Sequence, residues 1–469
     1  MIGWQRSAGC CDPLTRVMPY SRGVRRACVV MLVLVAAAPA QAGGLAIVGG
    51  SPRAIGRAGA GTVSDDGAGA LLLNPAALAR RDTTRMQVGV ALAEDATEWL
   101  SDDAAAPIAR DQAGSQLLPV AAVAGSIAGW TLAAGVMTAG VTERVLRDPT
   151  DVPRPGDQGA LFGYRYAGIA GAVRRDTATI AIARRLGDAV ALGASFGLSR
   201  IEVRETRRIW AGFTGITPVG DPSRDVQLAL AGTDDVVPSA TAGILLAPPD
   251  QPLELGASVA WTARTIADGD VDATGSTGGT SVRERSPRAQ IAFRHPVAVR
   301  AAARYLGEHV VVEVGGDLWL APESARTATW MVDGITVVDP STVTVDLTSV
   351  PSRISQRMHG ALRAAVDVEL IPGFLWGTAG YAYTVGGTTE RRLSPTLGAL
   401  DGHTFALGIE GSSGGFTYTL GWSRTQAIQK RGGEDFSLDN PFGAGTAPIA
   451  PGRYDGSADQ LGVLLDVEL

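Results

Sequence analysis

Lysine is almost absent from the chain. Lys430 is the single lysine among 41 basic residues, so the glycine-rich stretch around Gly56 lacks the lysine that a phosphate-binding P-loop needs. Histidine is also scarce, with four residues and none at the spacing of zinc ligands. A formal net charge of −6 argues against a nucleic-acid partner. We therefore expect no metal, no cofactor and no catalytic residue, and we do not expect an enzyme.

Cysteine is limited to the first 42 residues, at Cys10, Cys11 and Cys28. Three arginines between residues 22 and 26 precede an apolar run, residues 27–38, which is followed by Ala40-Gln41-Ala42. A basic start, a short apolar run and an Ala-x-Ala site predict a secretory signal peptide over residues 1–42, cleaved after Ala42. An N-terminal anchor helix is the alternative reading, and either Met1 or Met18 fits as the start. The mature chain would then contain no cysteine and no disulfide.

Long uncharged runs are rare, and the clearest is Leu117–Val141. Its hydropathy alone would predict a transmembrane helix. Pro119 and four glycines oppose a helix, however, and Ala128-Gly129 fits a tight turn. We favour a β-hairpin over a helix here.

Most of the remaining sequence alternates large apolar residues with small or polar ones. Phe416–Ser423 and Val190–Ser199 show this period of two, which is typical of strands with two unlike faces. Fourteen segments are candidate strands: 84–94, 118–128, 130–139, 177–185, 189–204, 226–247, 253–266, 288–306, 309–322, 356–370, 374–385, 403–412, 415–428 and 458–469.

The charges on the second face decide between a soluble sandwich and a membrane barrel. Arg363 and Asp367 are expected on it, as are Glu313 and, by parity, Arg294 with Gln290. Charges suit a wet lumen far better than a dry core, and outer-membrane strands turn their apolar face to lipid. We predict an all-β fold, a transmembrane antiparallel β-barrel of about fourteen strands over residues 83–469. Short turns should form the periplasmic rim, and long loops such as 267–287 and 323–355 the outer rim.

Residues 43–82 show a different pattern. Ser64 precedes Asp65 and Asp66 as a helix cap would, and Asn74-Pro75 has the form of a second helix start. The segment is therefore predicted to form short helices joined by glycines, and such a piece ahead of a barrel can lie inside it as a hatch (a plug). A simple linker is the alternative.

The chain resembles the FadL/TodX family of outer-membrane transporters for long-chain fatty acids and aromatic hydrocarbons. The resemblance rests on Gly56 to Gly59, on the acidic-Ala/Gly stretch 64–70 and on Asn74-Pro75-Ala76. It implies a fourteen-stranded barrel with an N-terminal hatch, and it guides the joining of the interrupted strands 226–247 and 288–306. It also implies that the apolar N-terminus, with Leu45 and Ile47, lies in a lumen pocket.

The resemblance implies further site residues. It implies that cargo leaves the barrel sideways at a kinked strand; the corresponding strand here is 130–139, where we expect Gly135 to provide the kink. Arg294 and Arg363 are candidates to bind a fatty carboxylate. An ordinary network of lumen charges is the alternative for both arginines, and a neutral hydrocarbon would need no cation.

The expected function is passive uptake of hydrophobic small molecules across the bacterial outer membrane, with the hatch regulating passage. The alternative is a related barrel that does not transport and serves as a binding or secretion-assembly module. Expected partners are the hydrophobic ligand, outer-membrane lipid and the barrel-assembly machinery, and the protein is expected to be a monomer.

Overall fold

The computed structural model describes residues 50–101, 108–147, 163–211, 222–276, 279–340, 343–388, 392–431, 437–439, 446–448 and 452–469. The predicted signal peptide and the predicted contact residues Leu45 and Ile47 lie outside these ranges. Within them, no helix is both long enough and apolar enough to cross a membrane.

The helices of the described residues are short. They are α1 (Pro52–Ile55), α2 (Ala70–Leu73), α3 (Tyr164–Ala167) and the 3-10 turns Pro75–Arg80, Pro222–Arg224 and Glu323–Ala325.

Strands form nearly all of the rest. They are β1 (Arg85–Ser101), β2 (Ala109–Arg110), β3 (Gln116–Ile127), β4 (Trp130–Val145), β5 (Ala170–Leu186), β6 (Val190–Trp210), β7 (Asp225–Leu246), β8 (Leu253–Thr262), β9 (Thr265–Gly275), β10 (Ser281–Phe293), β11 (Val297–Leu306), β12 (Val310–Leu320), β13 (Thr329–Val338), β14 (Thr344–Pro351), β15 (His359–Ile371), β16 (Leu375–Thr384), β17 (Gly402–Ser413), β18 (Phe416–Ala427), β19 (Lys430–Arg431), β20 (Ser437–Asp439), β21 (Thr446–Pro448) and β22 (Gly452–Glu468).

The strands form a closed antiparallel barrel. Four wall strands are each built of two segments, β8 with β9, β10 with β11, β12 with β13, and β14 with β15. In the first three, both segments pair with the same two neighbouring wall strands, and β14 and β15 share the neighbour formed by β12 and β13. Over the described residues this gives the predicted fourteen wall strands. The ring closes where β22 pairs with β1, from Arg85 opposite Glu468 to Ser101 opposite Gly452.

The two faces of the wall follow the predicted alternation. Phe196 and Leu198 on β6 are 48% and 44% exposed, whereas the flanking Ser195 and Ser199 are buried. The same holds for β22, where Leu461 and Val463 are exposed. An apolar exterior around a polar interior is the arrangement of an outer-membrane barrel.

The connections at one rim are tight, as predicted. The uncharged run forms the hairpin β3–β4, and its turn residues Ala128 and Gly129 both have positive φ, 51° and 75°. A two-residue turn with two positive φ values matches the twist of a hairpin. The prediction of a hairpin rather than a transmembrane helix is therefore confirmed.

At the other rim, the strands extend further beyond the membrane-facing wall than the sequence predicts. The predicted loops 267–287 and 323–355 contain β13, β14 and much of β9 and β10, so those loop predictions were wrong. These extensions continue the ladders because they share an apolar core of their own, in which Leu228, Ile291 and Trp330 are fully buried.

Candidate functional site

The candidate site is the lumen and the N-terminal segment inside it. Residues 50–82, here called the hatch, contact inward-facing residues of wall strands all round the ring. The hatch holds α1, α2 and the turn Pro75–Arg80. Ser51 caps α1, its Oγ accepting a hydrogen bond from the Ala54 amide at 3.2 Å, but the predicted helix start at Ser64 does not occur.

Asn74 holds the hatch together and holds it to the wall. Its Oδ1 accepts from the Ala76 amide at 3.2 Å and so caps the turn that begins at Pro75. Its Nδ2 donates to the carbonyl oxygens of Thr62, in the hatch, and Ile244, in β7, at 2.9 and 3.2 Å. Asn74 and Ala76 are completely buried, so these bonds are shielded from water.

The wall meets the hatch through glycine. A Cβ added at any of eight inward-facing glycines would come within 3.3 Å of a hatch atom. These are Gly135, Gly193, Gly243, Gly256, Gly380, Gly408, Gly421 and Gly462. The small face that alternates with the apolar face in the sequence is therefore the surface against which the hatch packs.

The two motif glycines of the hatch lie at close contacts as well. A Cβ on Gly56 would be 3.0 Å from the Cα of Gly408, so backbone meets backbone there. Gly59 has φ +81°, and a Cβ on it would be 2.4 Å from a guanidinium nitrogen of Arg363. Position 59 therefore requires glycine for two reasons: its φ is positive, and a side chain would collide with Arg363.

Ion pairs attach the hatch to wall carboxylates. Arg57 pairs with Asp367 and, at 3.3 Å, with Glu313, whose carboxylate also accepts the amides of Val63 and Ser64. A second hatch arginine, Arg80, makes a two-pronged pair with Glu254 in β8, with both bonds at 2.7 Å. A third, Arg53, contacts Glu410 at 3.1 Å and the hatch residue Asp66 at 3.1 Å. Such paired, buried guanidinium–carboxylate contacts fix geometry strongly.

Arg363 belongs to this network. Its guanidinium donates to the Ala58 carbonyl at 2.6 Å and to Asp317 at 2.7 Å. Arg363 therefore lies in a network of lumen charges, which is the alternative given above for this residue. Its contact with a ligand carboxylate stays a prediction.

Arg294 lies elsewhere. It is exposed in the break between β10 and β11, and no hydrogen bond or ion pair among the described residues involves it. Gln290 bonds to the exposed Asp268, while its neighbours Ala289 and Ile291 are buried. The parity expectation was therefore wrong for Gln290, because the inward positions of β10 fill an apolar core.

Neighbouring carboxyls of the hatch have opposite pKa shifts. Burial raises the pKa of Asp65, whose carboxylate accepts hydrogen bonds from the Ser51 hydroxyl and the Gly67 amide. Burial would raise the pKa of Asp66 too, but Arg53, Arg85 and Arg81 together hold it below its ordinary value. Asp66 is thus the anionic centre around which the hatch arginines and β1 meet.

Gly135 lies on β4 opposite α2. A Cβ there would be 2.7 Å from Leu71 of the hatch and 2.9 Å from the Ala121 carbonyl. Gly135 pairs regularly with Ala122 and Thr179, and the irregularity of β4 comes later, between Thr138 and Gly140. The structure therefore places the distortion of this strand a few residues beyond the predicted position.

A second cluster of charges lies in the tall outer part of the lumen and was missed from the sequence. Glu205 is fully buried and accepts from Trp330 at 3.0 Å and Ser352 at 2.8 Å. Arg207 lies 3.6 Å from it, and Arg353 is also buried. Burial, with Arg207 nearby, lowers the pKa of Arg353 to about 9. The alternation along β6 places Glu205 and Arg207 on the inward face and could have revealed them. Arg353 could not be found in this way, because it follows β14, which lies in the predicted loop 323–355.

Two cavities border the hatch. One of about 180 Å³ lies between α1 and β15–β18 and has a mixed lining that includes Arg53, Asp367, Trp376 and Glu410. The other is a slot of about 10 Å³ lined by Leu71, Leu78 and alanines of β3 and β4. The described residues contain no group of three or more metal-binding side chains that could hold a metal ion.

A family model for "outer membrane protein transport protein (OMPP1/FadL/TodX)" matches residues 33–302, more than half of the chain. The chain belongs to this family. The resemblance inferred from Gly56 to Ala76 is thereby confirmed, and with it the assignment as an outer-membrane transport barrel.

Solved structures of this family share the fold. A Pseudomonas aeruginosa FadL homologue has a TM-score of 0.70 and 15% identity, over 91% of this chain and 99% of that one. The toluene transporter TodX of P. putida gives 0.63 and 13%, over 91% and 99%. The Ralstonia pickettii toluene transporter TbuX gives 0.60 and 12%, over 90% and 99%. A sequence search of curated proteins finds no match.

Proposed function

We propose that this protein is a passive channel that admits hydrophobic small molecules through the bacterial outer membrane and that its hatch controls their passage. The observation that carries the proposal is a closed barrel, apolar outside, with residues 50–82 packed against the inward face of its wall. Apolar solutes gain from a route that shields them from water. Membership of an outer-membrane transport family supports the same conclusion.

Transport requires the hatch to yield. Eight wall glycines and three hatch arginines hold it in place, so passage needs either a shift of α1 toward the 180 Å³ cavity or an exit through the wall at β4 near Gly135. No energy source is encoded, and flow therefore follows the concentration gradient. We further propose cleavage after Ala42, a monomeric barrel in contact with outer-membrane lipid, insertion by the barrel-assembly machinery, and no enzymatic activity.

Uptake in cells tests the proposal. A strain lacking the protein, carrying the gene or an empty vector, is given radiolabelled toluene or radiolabelled oleate at low concentration. We expect faster accumulation of at least one compound with the gene. Equal rates for both would contradict transport and favour the alternative, a binding or secretion-assembly module that would instead retain a protein partner on its outer surface.

The buried arginines near Glu205 favour an acidic cargo over a neutral one. Arg207 and Arg392 donate to the Pro351 and Ser352 carbonyl oxygens, and Arg207 lies 3.6 Å from Glu205. A cargo carboxylate that reached these guanidinium groups would add charge-assisted hydrogen bonds that a neutral hydrocarbon cannot make.

Charge-removing variants separate the two cargo classes. We expect Arg207→Gln to reduce oleate uptake by about tenfold, the loss of about 1.4 kcal/mol of binding, and to leave toluene uptake unchanged. Arg424→Gln, an exposed arginine on β18, is the matched control. Equal losses for both compounds would indicate a damaged barrel, and no loss for oleate would contradict the acidic cargo.

A further inference from the structure

Two neighbouring wall strands are interrupted where the membrane-facing wall meets its outer extension. β8 ends at Thr262 before β9 begins, and β10 ends at Phe293 before β11 begins. The ladder between β9 and β10 ends with Thr265 opposite Phe293, and the ladder between β8 and β11 begins at Ala260 opposite Ala298. Two short connecting segments, residues 263–264 and 294–296, therefore lie between these ladders.

Each connecting segment carries one exposed arginine. Arg264 directly precedes Thr265 and Arg294 directly follows Phe293, so the two arginines occupy facing positions one step beyond the last pair of the ladder. Both arginines are exposed, whereas Thr265 and Phe293 are buried. Because successive residues of a strand point to opposite faces, both arginines lie on the outer surface of the barrel.

These two guanidinium groups have no counter-ion within the described part of the chain. No hydrogen bond or ion pair among the described residues involves the side chain of Arg264 or of Arg294. Carboxylates on the neighbouring segments are bonded to other groups: Asp234 accepts two backbone amides, and Asp268 accepts from Gln290. Like charges at facing positions destabilise each other, so an anion from outside the chain would be stabilised between them.

Other exposed arginines of the wall are paired within the protein. Arg200 on β6 contacts Glu202 at 2.9 Å and Asp235 at 3.5 Å. Arg424 on β18 contacts Asp459 at 3.2 Å. The two arginines of the break differ from these because they bring two positive charges together without a carboxylate.

The break lies at the outer edge of the apolar exterior. On one side of β11, Val259 and Trp261 of β8 are exposed, and on its other side Leu318 and Leu320 of β12 are exposed. Tryptophan is enriched where a membrane protein meets the headgroup level. The opposite ends of β11 and β12 are joined by the tight turn 307–309, which belongs to the short-turn, periplasmic rim. The two arginines are therefore on the side of the outer leaflet.

We propose that Arg264 and Arg294 bind a phosphate group of lipid A, the membrane anchor of lipopolysaccharide, in the outer leaflet. Guanidinium groups match phosphate oxygens in a two-pronged geometry, and a phosphate between the two groups removes their mutual repulsion. Lipid A carries its phosphates directly above its acyl chains, as the two arginines lie directly above an apolar wall. The contact with outer-membrane lipid then has a defined site and headgroup. The inference rests on the location of the barrel in the outer membrane and not on any cargo.

Native mass spectrometry of the whole barrel in detergent tests the site. The purified, delipidated protein is incubated with diphosphoryl lipid A or with lipid A from which both phosphates have been removed. We expect the parent to retain the diphosphoryl form about tenfold better, equivalent to about 1.4 kcal/mol. The double variant Arg264→Gln with Arg294→Gln should lose this preference, whereas Arg424→Gln, which removes an exposed arginine with its own carboxylate partner, should keep it.

A charge reversal tests the same site in a second way. In Arg294→Glu the carboxylate can pair with Arg264 and take the place of the lipid phosphate, so we expect this single variant to lose the preference as fully as the double variant. An unchanged preference in the double variant and in Arg294→Glu would overturn the assignment to these arginines. Equal retention of the two lipids by the parent would overturn the site without any variant, so the test holds even if a variant fails to fold, as judged by heat-modifiable migration on gels.

Two further arms identify the source of the phosphate and separate this inference from the proposed function. Phosphatidylglycerol offers a phosphate on a phospholipid, and its retention to the same extent as diphosphoryl lipid A would overturn lipid A as the occupant. The retention measurement contains no cargo. If cells with the parent protein take up neither toluene nor oleate, the proposed function fails while the lipid measurement still decides the phosphate site.

Discussion

A single buried side chain, Asn74, is bonded to both the hatch and the wall. It uses its acceptor within the hatch and its amide donors on Thr62 and on Ile244 of the wall. In Asn74→Asp the acceptor remains, but a carboxylate oxygen then faces two carbonyl oxygens. We expect about 2 kcal/mol less stability of the closed hatch, the usual cost of leaving buried groups unpaired.

Thiol labelling can measure this loss. A cysteine at Ala77, which is fully buried beside Asn74, should react faster in the Asn74→Asp background. Thr425→Val, which removes a hydroxyl that bonds Thr404 on the wall away from the hatch, is the control. An unchanged Ala77→Cys rate would show that Asn74 does not hold the hatch.

His309, in a tight turn outside the membrane-spanning strands, gives a prediction on pH. Its hydrogen bond to Glu369, at 2.9 Å, raises the pKa of the exposed imidazole above its ordinary value. A raised histidine pKa stabilises the folded state below the ordinary pKa, and this contribution is lost as the pH rises through the raised value. NMR titration should show the shift, and Glu369→Gln should remove it. A His309 midpoint at its ordinary value in the parent would contradict the contact.

At the scale of strands, the glycines of the wall set the fit of the hatch. A Cβ at Gly193 would be 2.4 Å from the backbone of Pro75 and Ala76, atoms that cannot rotate away. We expect Gly193→Ala to displace the hatch and to raise Ala77→Cys labelling severalfold, by the strain of overpacking. Gly411→Ala, whose nearest contact would be 3.6 Å, should leave labelling at the parental rate, and equal rates in both variants would mean that the hatch does not need the glycine.

The strands also show what the sequence could and could not reveal. Alternation located the wall strands, with the family resemblance guiding the joining of residues 226–247 and 288–306, and the Asn-Pro pair located the cap at Asn74, because these signals depend on neighbours in sequence. It failed over the predicted loops 267–287 and 323–355; in the first of them, β9 and β10 alternate charges with residues of a core formed by distant strands. It could not reveal the hydrogen bond from Trp330 to Glu205 either, because the two residues lie 125 positions apart in the sequence.

For the whole molecule, the central prediction is that the hatch is what closes the barrel. The fourteen-strand ladder is complete without residues 50–82, so a chain lacking them should still fold and insert. We expect that deletion to raise ion conductance in planar bilayers manyfold, because the lumen charges would then line open water. A deleted barrel that folds but conducts no more than the parent would show that the outer loops seal the lumen independently.

The order of the hatch and the wall strands along the chain restricts how the barrel can assemble. The hatch directly precedes β1, and β1 completes its pairing only with β22, which follows the other thirteen described wall strands in the chain. We therefore expect the wall to close around a hatch that is already present, rather than the hatch to be threaded into a finished ring. A chain truncated before residue 452 should leave residues 50–82 open to protease, and full protection of them in that fragment would contradict this sequence of events.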